Sequence, residues 1–179
     1  MKLNGVMLRR LRDDEADYLL LDKWCGSEEV YRYFEQRILK PEEIRRKYAP
    51  RTLEAADVPV YMIEYQERPA GIIQYQAMGD ESRACCALTG GTGYEIDLFI
   101  GEEDLRGQGI GKAALSLLAQ FLFENKSADV LALCPVRENS RAVRCYRKCG
   151  FEEAGRFSAP DTIGVVQEYV CMARVKRGG

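Results

Sequence analysis

Two acidic residues inside an apolar segment are the groups best placed for chemistry. In the segment YEIDLFI, Glu95 and Asp97 alternate with apolar residues, and alternate side chains of a β-strand share a face. A strand would hold the two carboxylates on one face, about 7 Å apart at a rise of about 3.3 Å per residue. Because the sequence contains no histidine, a carboxylate, tyrosine, thiol, lysine or water must serve as any general base.

A glycine-rich run, RGQGIGK, follows this segment from Arg106 to Lys112. Its glycines allow the backbone to curl so that several N–H groups converge, and the positive end of a following helix would add to them. The run therefore predicts a site for an anionic group such as a pyrophosphate. A Walker A loop would need glycine at 106 and Ser or Thr at 113, and a Rossmann fingerprint would need glycine at 112, so neither fits. A tight turn without a ligand is the plain alternative.

A second pattern, N-x-x-A-x-x-x-Y-x-x-x-G-F, begins at Asn139. On a helix, Asn139, Ala142 and Tyr146 follow one another at steps of three and four residues and so share a face. A small residue between a polar cap and a phenol leaves a groove that a thin ligand could cross. The structural alternative is that Asn139 caps the helix, Ala142 packs, and Tyr146 fills the core.

Length and charge set the broad class. The chain has 179 residues, 46% hydrophobic and 30% charged, with a net charge of −2, which fits one ordinary globular domain. This charge does not favour nucleic acid or an anionic membrane as a partner. The N-terminus becomes polar before a signal peptide could form, so the cytoplasm is the default location. A monomer and a homodimer are both compatible with the sequence.

Seven cysteines are present, including the adjacent pair Cys85 and Cys86 and the pair Cys145 and Cys149, which would lie one helical turn apart. The odd number and the lack of a secretion signal indicate reduced thiols. Without histidine or a C-x-x-C pair, the sequence does not favour a zinc site, and no metal is expected. Most of the thiols are expected to be small buried apolar groups.

The hydrophobic pattern predicts one α/β domain over residues 1–179, without repeats or a linker. Besides the strand through Asp97, strands are predicted at 6–12, 58–65, 70–77, 129–133, 151–157 and 165–175. Helices are predicted at 17–25, with Asp13 or Asp14 as the cap, at 28–34, at 41–49 between two prolines, at 109–125, and at 140–149. Residues 78–93 are predicted to form a long loop. The aromatic residues of the first helices fit core packing or a lid over a substrate.

The region 94–151 resembles the GNAT N-acetyltransferases, since it carries both their R-x-x-G-x-G loop (Arg106, Gly109, Gly111) and the Asn-Ala-Tyr helix described above. The whole chain is similar to the aminoglycoside 6′-N-acetyltransferases in the segments around Trp24 and VYRYF, in IDLFIGE, in RAVRCYRKCGF and in APD at 159–161. The resemblance implies a GNAT fold. This is a mixed, mostly antiparallel sheet of six to seven strands, with helices on both faces and splayed central strands.

The resemblance also implies acetyl-CoA as the donor. Its pyrophosphate would bind the amides of the glycine-rich loop, and its pantetheine arm would run along residues 98–100, where this strand separates from the strand DVLAL. Asn139 would bond that arm, and Tyr146 would lie near the thiol. The implied co-substrate contacts are Leu98, Phe99, Ile100, Arg106, Gly107, Gln108, Gly109, Ile110, Gly111, Lys112, Asn139, Ala142 and Tyr146.

The implied mechanism is direct attack of a free amine on the thioester, in which no cysteine takes part. Asp97 would hold the acceptor ammonium and receive its proton, and Tyr146 would protonate or hydrogen-bond the leaving thiolate. Glu95, Asp161 and Tyr75 would contribute to the acceptor site. A solvated carboxylate is the alternative for Glu95, and a turn role after Pro160 is the alternative for Asp161.

One position departs from the aminoglycoside enzymes. They carry an acidic residue immediately before the proline that ends the strand after the loop helix, where this chain has Cys134 before Pro135. A contact to a substrate amine would be lost there. The sequence thus leaves open an acetyltransferase acting on an aminoglycoside or on another amine, such as a protein N-terminus, an amino acid or a polyamine. A non-catalytic acyl-CoA-binding module and a structural module without a ligand are further alternatives.

Overall fold

A computed structural model describes residues 1–176. They form one mixed sheet of eight strands, in the order β1-β2-β3-β4-β5-β6-β8-β7. Neighbouring strands are antiparallel except β5 and β6, which are parallel. The strands are β1 (Lys2–Leu3), β2 (Val6–Arg10), β3 (Val60–Tyr65), β4 (Arg68–Ala77), β5 (Gly93–Ile100), β6 (Val130–Leu133), β7 (Glu152–Pro160) and β8 (Val166–Val175).

Helices cover both faces of this sheet. The helices are α1 (Glu15–Cys25), α2 (Glu28–Tyr31), α3 (Pro41–Thr52), α4 (Asp80–Cys85), α5 (Ile110–Asn125) and α6 (Ser140–Lys148), with a 3₁₀ turn at Glu103–Leu105. α5 and α6 pack on one face, and α1 and α3 pack on the other. No helix within residues 1–176 is both long and apolar enough to cross a membrane.

Two helix caps predicted from the sequence are confirmed. The Asp14 carboxylate accepts a hydrogen bond from the Asp17 amide at 2.9 Å, and the Asn139 side chain accepts one from the Ala142 amide at 3.1 Å. Each thereby satisfies an amide that has no partner in the first turn of its helix. Gly150 ends α6 with a φ of 81°, the left-handed conformation that favours glycine at this position.

Three local predictions were wrong. α3 continues through Pro50 to Thr52, because a proline in the last turn removes one hydrogen bond where the helix is ending anyway. The predicted loop at 78–93 contains α4, which is too short to show a helical period. The sheet has eight strands rather than six or seven, because a turn at Asn4-Gly5, with φ values of 49° and 77°, pairs the two-residue β1 with β2.

The central strands separate, as predicted. β4 pairs with β5 from residue 94 to residue 100, whereas β6 pairs with β5 only at Gly93–Glu95. The edge of β5 that faces β6 is therefore unpaired over residues 96–100. This opening lies beyond the end of the parallel pairing.

The side chains of β5 alternate between the two faces, as predicted. Ile96, Leu98 and Ile100 pack with the hydrophobic cluster under α5. Phe99 packs on the opposite face, edge-to-face against Phe34 and Trp24 with ring centroids 4.8 and 6.1 Å apart. Asp97 therefore lies on the face that α1 and α3 cover.

Candidate functional site

The glycine-rich loop presents a row of free amides. Gly107 and Gly109 have φ values of 77° and 82°, and the first hydrogen bond of α5 runs from the Ala113 amide to the Gly109 carbonyl at 3.0 Å. No acceptor among residues 1–176 bonds the amides of residues 107–112. A Cβ atom built on Gly107 or Gly109 would meet no atom within 4 Å, so the space beside these two α-carbons is open. Free amides at the start of a 16-residue helix are suited to binding an anion.

Arg106 holds this loop through hydrogen bonds to the end of β5. Its Nε donates to the Ile100 carbonyl at 3.0 Å and its Nη2 donates to the Gly101 carbonyl at 2.9 Å. The guanidinium thus ties the loop to the end of β5. Its predicted contact with the co-substrate stays a prediction, since these bonds already use much of its donor capacity.

The wall of the β5 opening is partly accessible. Leu98, Phe99 and Ile100 are half-buried, although they lie in the middle of the sheet. Gly111 approaches this wall closely, since a Cβ atom there would lie 3.6 Å from Leu98 Cδ1. The start of α5 therefore lies beside the unpaired edge of β5, and we call the space along that edge the groove.

Asn139 and Tyr146 belong to α6, Asn139 as its N-cap and Tyr146 as a buried residue. Asn139 uses its Oδ1 as a helix cap, while its Nδ2 meets no acceptor in the part of the chain that the structure describes. Tyr146 is 9% exposed, and its hydroxyl makes no hydrogen bond with any described residue. Burial raises its pKa well above the ordinary value, and the charge of Asp97 adds to this effect. The phenol therefore stays protonated at neutral pH, with its hydroxyl free for a ligand.

Asp97 lies close enough to Tyr146 for its charge to raise that tyrosine's pKa. Its side chain is accessible to solvent, yet burial by the surrounding protein is the main effect on its own pKa and raises it. Both observations hold for a group on the floor of an open cleft. Gln74 Nε2 donates to Asp97 Oδ2 at 3.3 Å and acts in the opposite direction. The opening thus brings a proton acceptor of raised pKa near a protonated phenol.

The other acidic residues proposed for the acceptor already have partners. Glu95 Oε1 accepts from the Gly79 amide at 2.8 Å. Asp161 Oδ1 accepts from the amides of Ile163 and Val165 at 3.0 and 2.8 Å, which is the turn role that its position after a proline suggested. Contact of either residue with an acceptor stays a prediction.

Tyr75 does not share the face of Asp97. It lies opposite Ile96 in the β4–β5 pairing, is 6% exposed, and stacks in the α5 cluster on Tyr61 with ring centroids 6.5 Å apart. Side chains alternate along a strand, so Gln74 and not Tyr75 points toward Asp97. The position of Tyr75 therefore does not support its predicted contact with the acceptor.

Sequence reasoning missed Gln74 and Arg51. Gln74 is 7% exposed and lies directly opposite Asp97 in the sheet, and Arg51 Nη1 donates to its Oε1 at 2.8 Å. The signal was the polar Gln74 within the apolar strand AGIIQYQA. Arg51 carried no signal, because it follows a proline that was predicted to lie beyond the end of α3.

Three of the seven cysteines, Cys134, Cys145 and Cys149, lie close enough to Tyr146 for their charges to affect its pKa. All seven are free thiols, and Cys134 Sγ lies 3.2 Å from Ser82 Oγ. No group of three or more acidic, cysteine or histidine residues in the described chain is arranged to hold a metal ion.

Comparison with known proteins finds a protein family that matches this chain. The model of the acetyltransferase (GNAT) domain matches residues 13–159. Aminoglycoside N(6′)-acetyltransferase type 1 of Serratia marcescens is 26% identical over 179 residues, which cover 97% of this chain and 88% of that protein. A protein of the same name from Klebsiella pneumoniae is 26% identical over 161 residues, covering 88% of this chain and 79% of that protein. These matches confirm the resemblance that the two motifs indicated.

Two solved structures confirm the fold. The structure of AAC(6′)-Ib in complex with ribostamycin and coenzyme A has a TM-score of 0.76 at 22% identity, covering 97% of this chain and 94% of that one. The spermidine N-acetyltransferase of Vibrio cholerae, in complex with CoA and spermine, also has a TM-score of 0.76, at 18% identity and with coverage of 97% and 96%.

Proposed function

The chain belongs to the GNAT acetyltransferase family, and from this membership we propose that it transfers the acetyl group of acetyl-CoA to the 6′-amino group of an aminoglycoside. The observation that carries the transfer is the row of free amides at residues 107–112, which lies beside the unpaired edge of β5. Those amides suit a diphosphate, and the groove leads from them to Asp97 and Tyr146.

Different residues of the groove bind different parts of acetyl-CoA. The loop amides and the positive end of α5 bind the pyrophosphate. The free edge at residues 98–100 offers backbone groups to the amides of the pantetheine arm, as a neighbouring strand would. Asn139 Nδ2 bonds the same arm from α6. The thioester then lies in the opening between Asp97 and Tyr146.

The chemical step needs no covalent enzyme intermediate. Asp97 binds the acceptor ammonium and takes its proton, and the freed lone pair attacks the thioester carbonyl. A C–N bond forms as the C–S bond breaks. The nitrogen loses its second proton to solvent as the amide forms. The Tyr146 hydroxyl hydrogen-bonds the departing thiolate, which takes one proton from solvent in return. Acetylated amine and CoA are the products, and one proton is released from Asp97 to solvent.

The aminoglycoside acceptor is supported by the names of the relatives, which match nearly the whole chain. A polyamine is the second candidate. It is favoured by Cys134, which removes an acidic contact at this position, and by the fold neighbour that binds spermine. Both acceptors are polycations that Asp97 could bind through one ammonium group.

An acceptor panel separates these candidates. Thiol release would be measured with kanamycin, ribostamycin, spermidine, an amino acid and a peptide with a free N-terminus, and the acetylated position would be found by NMR. We expect the highest kcat/KM for an aminoglycoside acetylated at the 6′-amine. If spermidine is acetylated and no aminoglycoside is, the acceptor is a polyamine and not an aminoglycoside. The proposed acetyl transfer would still stand.

A further inference from the structure

Gln74 and Arg51 form a hydrogen-bonded chain that ends at Asp97. Arg51 Nη1 donates to Gln74 Oε1 at 2.8 Å, and Gln74 Nε2 donates to Asp97 Oδ2 at 3.3 Å. Because the arginine can only donate, it requires the carbonyl end of the Gln74 amide and so directs the NH2 group toward Asp97. The orientation of the amide is thus determined from outside the cleft.

The chain is held by rigid elements. Gln74 lies in the centre of β4, is 7% exposed, and stands opposite Asp97 in the sheet register. Arg51 belongs to the last turn of α3, and its guanidinium lies 5.5 Å from the ring centroid of the fully buried Tyr48. Neither element needs to move for the contact to persist.

The hydrogen bond from Gln74 also makes the two oxygens of the Asp97 carboxylate different. Gln74 occupies Oδ2, whereas Oδ1 of Asp97 accepts no hydrogen bond from any residue between 1 and 176. This hydrogen bond restricts the rotation of the carboxylate and leaves its second oxygen for a donor from outside the protein. In the proposed reaction that donor is the acceptor ammonium.

We propose that Gln74, oriented by Arg51, is a positioning residue for Asp97 that fixes one carboxylate oxygen and turns the other toward the acceptor amine. This inference rests on the proposed function, in which Asp97 binds the amine. It assigns a role to two residues that do not touch the reacting atoms.

The chain also affects the charge state of Asp97. Burial raises the pKa of Asp97, and the hydrogen bond from Gln74 lowers it. Removing that bond therefore raises the pKa further, and the carboxylate becomes protonated at a higher pH. The charged and titratable groups around it are Glu95 on β5, Lys47 and Arg51 on α3, and Tyr146 on α6.

The test compares Gln74→Leu and Arg51→Met with a matched control, Gln76→Leu. Gln76 lies on the same strand and face but opposite Glu95. The pH dependence of kcat/KM would be measured with the best acceptor of the panel, and CoA affinity by calorimetry. For Gln74→Leu we expect the acidic limb to move up by about one pH unit, which lowers kcat/KM about tenfold below that limb. CoA affinity should stay within about twofold, since hydrogen bonding to Asp97 does not involve the loop amides.

Arg51→Met should shift the limb in the same direction by a smaller amount, because it frees the amide and removes a positive charge. Arg51→Lys restores the charge and a donor, so it should lie between Arg51→Met and the wild type. Gln76→Leu should leave the limb unmoved. The inference is wrong if the limb is unmoved in both Gln74→Leu and Arg51→Met.

A second measurement is independent of turnover. Carboxyl-carbon NMR of the ligand-free protein gives the pKa of Asp97 directly, and it should be higher in Gln74→Leu than in the wild type. If Asp97→Asn retains full activity, the proposed role of Asp97 fails whatever the NMR shows. If Asp97→Asn is inactive and the Asp97 pKa does not change in Gln74→Leu, only the positioning role fails.

Discussion

The surrounding protein affects the pKa of Asp97 and of Tyr146 in the same direction, but the chemical consequence differs between the two groups. Burial raises the pKa of both groups. For the carboxyl, this makes the ionised form a stronger base toward an ammonium. For the phenol, it keeps the proton in place, so that the hydroxyl can donate a hydrogen bond to a developing thiolate. The same low-polarity opening therefore suits both ends of the proposed acetyl transfer.

Replacing Asp97 by asparagine tests the base directly. The amide keeps the size of the side chain but can neither attract an ammonium nor take its proton. We expect kcat to fall by about a hundredfold or more, with the Kd of CoA unchanged, measured by thiol release and calorimetry. Asp57→Asn, at an exposed carboxylate, controls for the loss of one charge. An equal loss of activity and CoA affinity in Asp97→Asn would make its role structural.

Among the elements, the loop before α5 has the clearest matched control. Gly109 and Gly164 have φ values of 82° and 84°, and an added Cβ would meet no atom within 4 Å at either position. Valine should therefore destabilise the backbone by a similar amount, about 1–2 kcal/mol, at both sites. The difference is that Gly109 faces the proposed diphosphate, whereas Gly164 lies in the turn between β7 and β8.

We expect Gly109→Val to weaken CoA binding at least tenfold and Gly164→Val to leave it unchanged, as measured by calorimetry. Denaturant unfolding of both variants would check that they lose similar stability. Equal CoA affinities in the two variants would remove the loop from the binding site.

A buried ion pair joins α1 to the sheet. Asp17, 2% exposed, accepts from Arg9 Nη1 and Nη2 at 2.7 and 2.6 Å. Burial alone would raise the pKa of Asp17, but the Arg9 guanidinium outweighs it and holds the pKa below the ordinary value. The stability that this carboxylate contributes is therefore present at neutral pH and is lost as the pH falls through its lowered pKa.

Asp17→Asn leaves Arg9 with Glu64 as its remaining carboxylate partner, at 2.6 Å. The expected loss is about 1.5–3 kcal/mol in the free energy of unfolding at pH 7, the range for a hydrogen bond to a charged group, measured by urea denaturation. The difference from the wild type should shrink as the pH is lowered, because the wild-type carboxyl then also loses its charge. A loss that is constant with pH would show that the charge of Asp17 is not what stabilises α1.

For the whole molecule, CoA should act as a stabilising ligand. A ligand at 100 times its Kd adds about 2.7 kcal/mol to the free energy of unfolding, which for a chain of this size raises Tm by roughly 5–11 °C. Thermal unfolding followed by circular dichroism would measure this. No shift at millimolar CoA would contradict the binding of CoA, and with it every function that uses acetyl-CoA.

The sequence predicted the parts of the site that depend on local chemistry. The loop amides, the cap at Asn139 and the alternation around Asp97 follow from glycine, capping and strand rules that act over a few residues. The contact of Gln74 with Arg51 joins α3 to β4 and depends on how they pack, so no local pattern could reveal it. The face on which Tyr75 lies relative to Asp97 could not be predicted for a related reason, since it depends on the register of β4 against β5.

The break between β5 and β6 leaves part of the sheet without hydrogen bonds that a bound ligand could supply. Five residues at the heart of the sheet lack a neighbour on one side, and an extended arm with amide groups of its own would complete the ladder there. Bound acetyl-CoA would then complete the hydrogen bonding of the sheet as well as supply the acetyl group. Amide hydrogen exchange at residues 98 and 100, whose N–H groups face the opening, should slow when CoA binds. Exchange at residues 93–95, 97 and 99, whose amides are already bonded within the sheet, should hardly change.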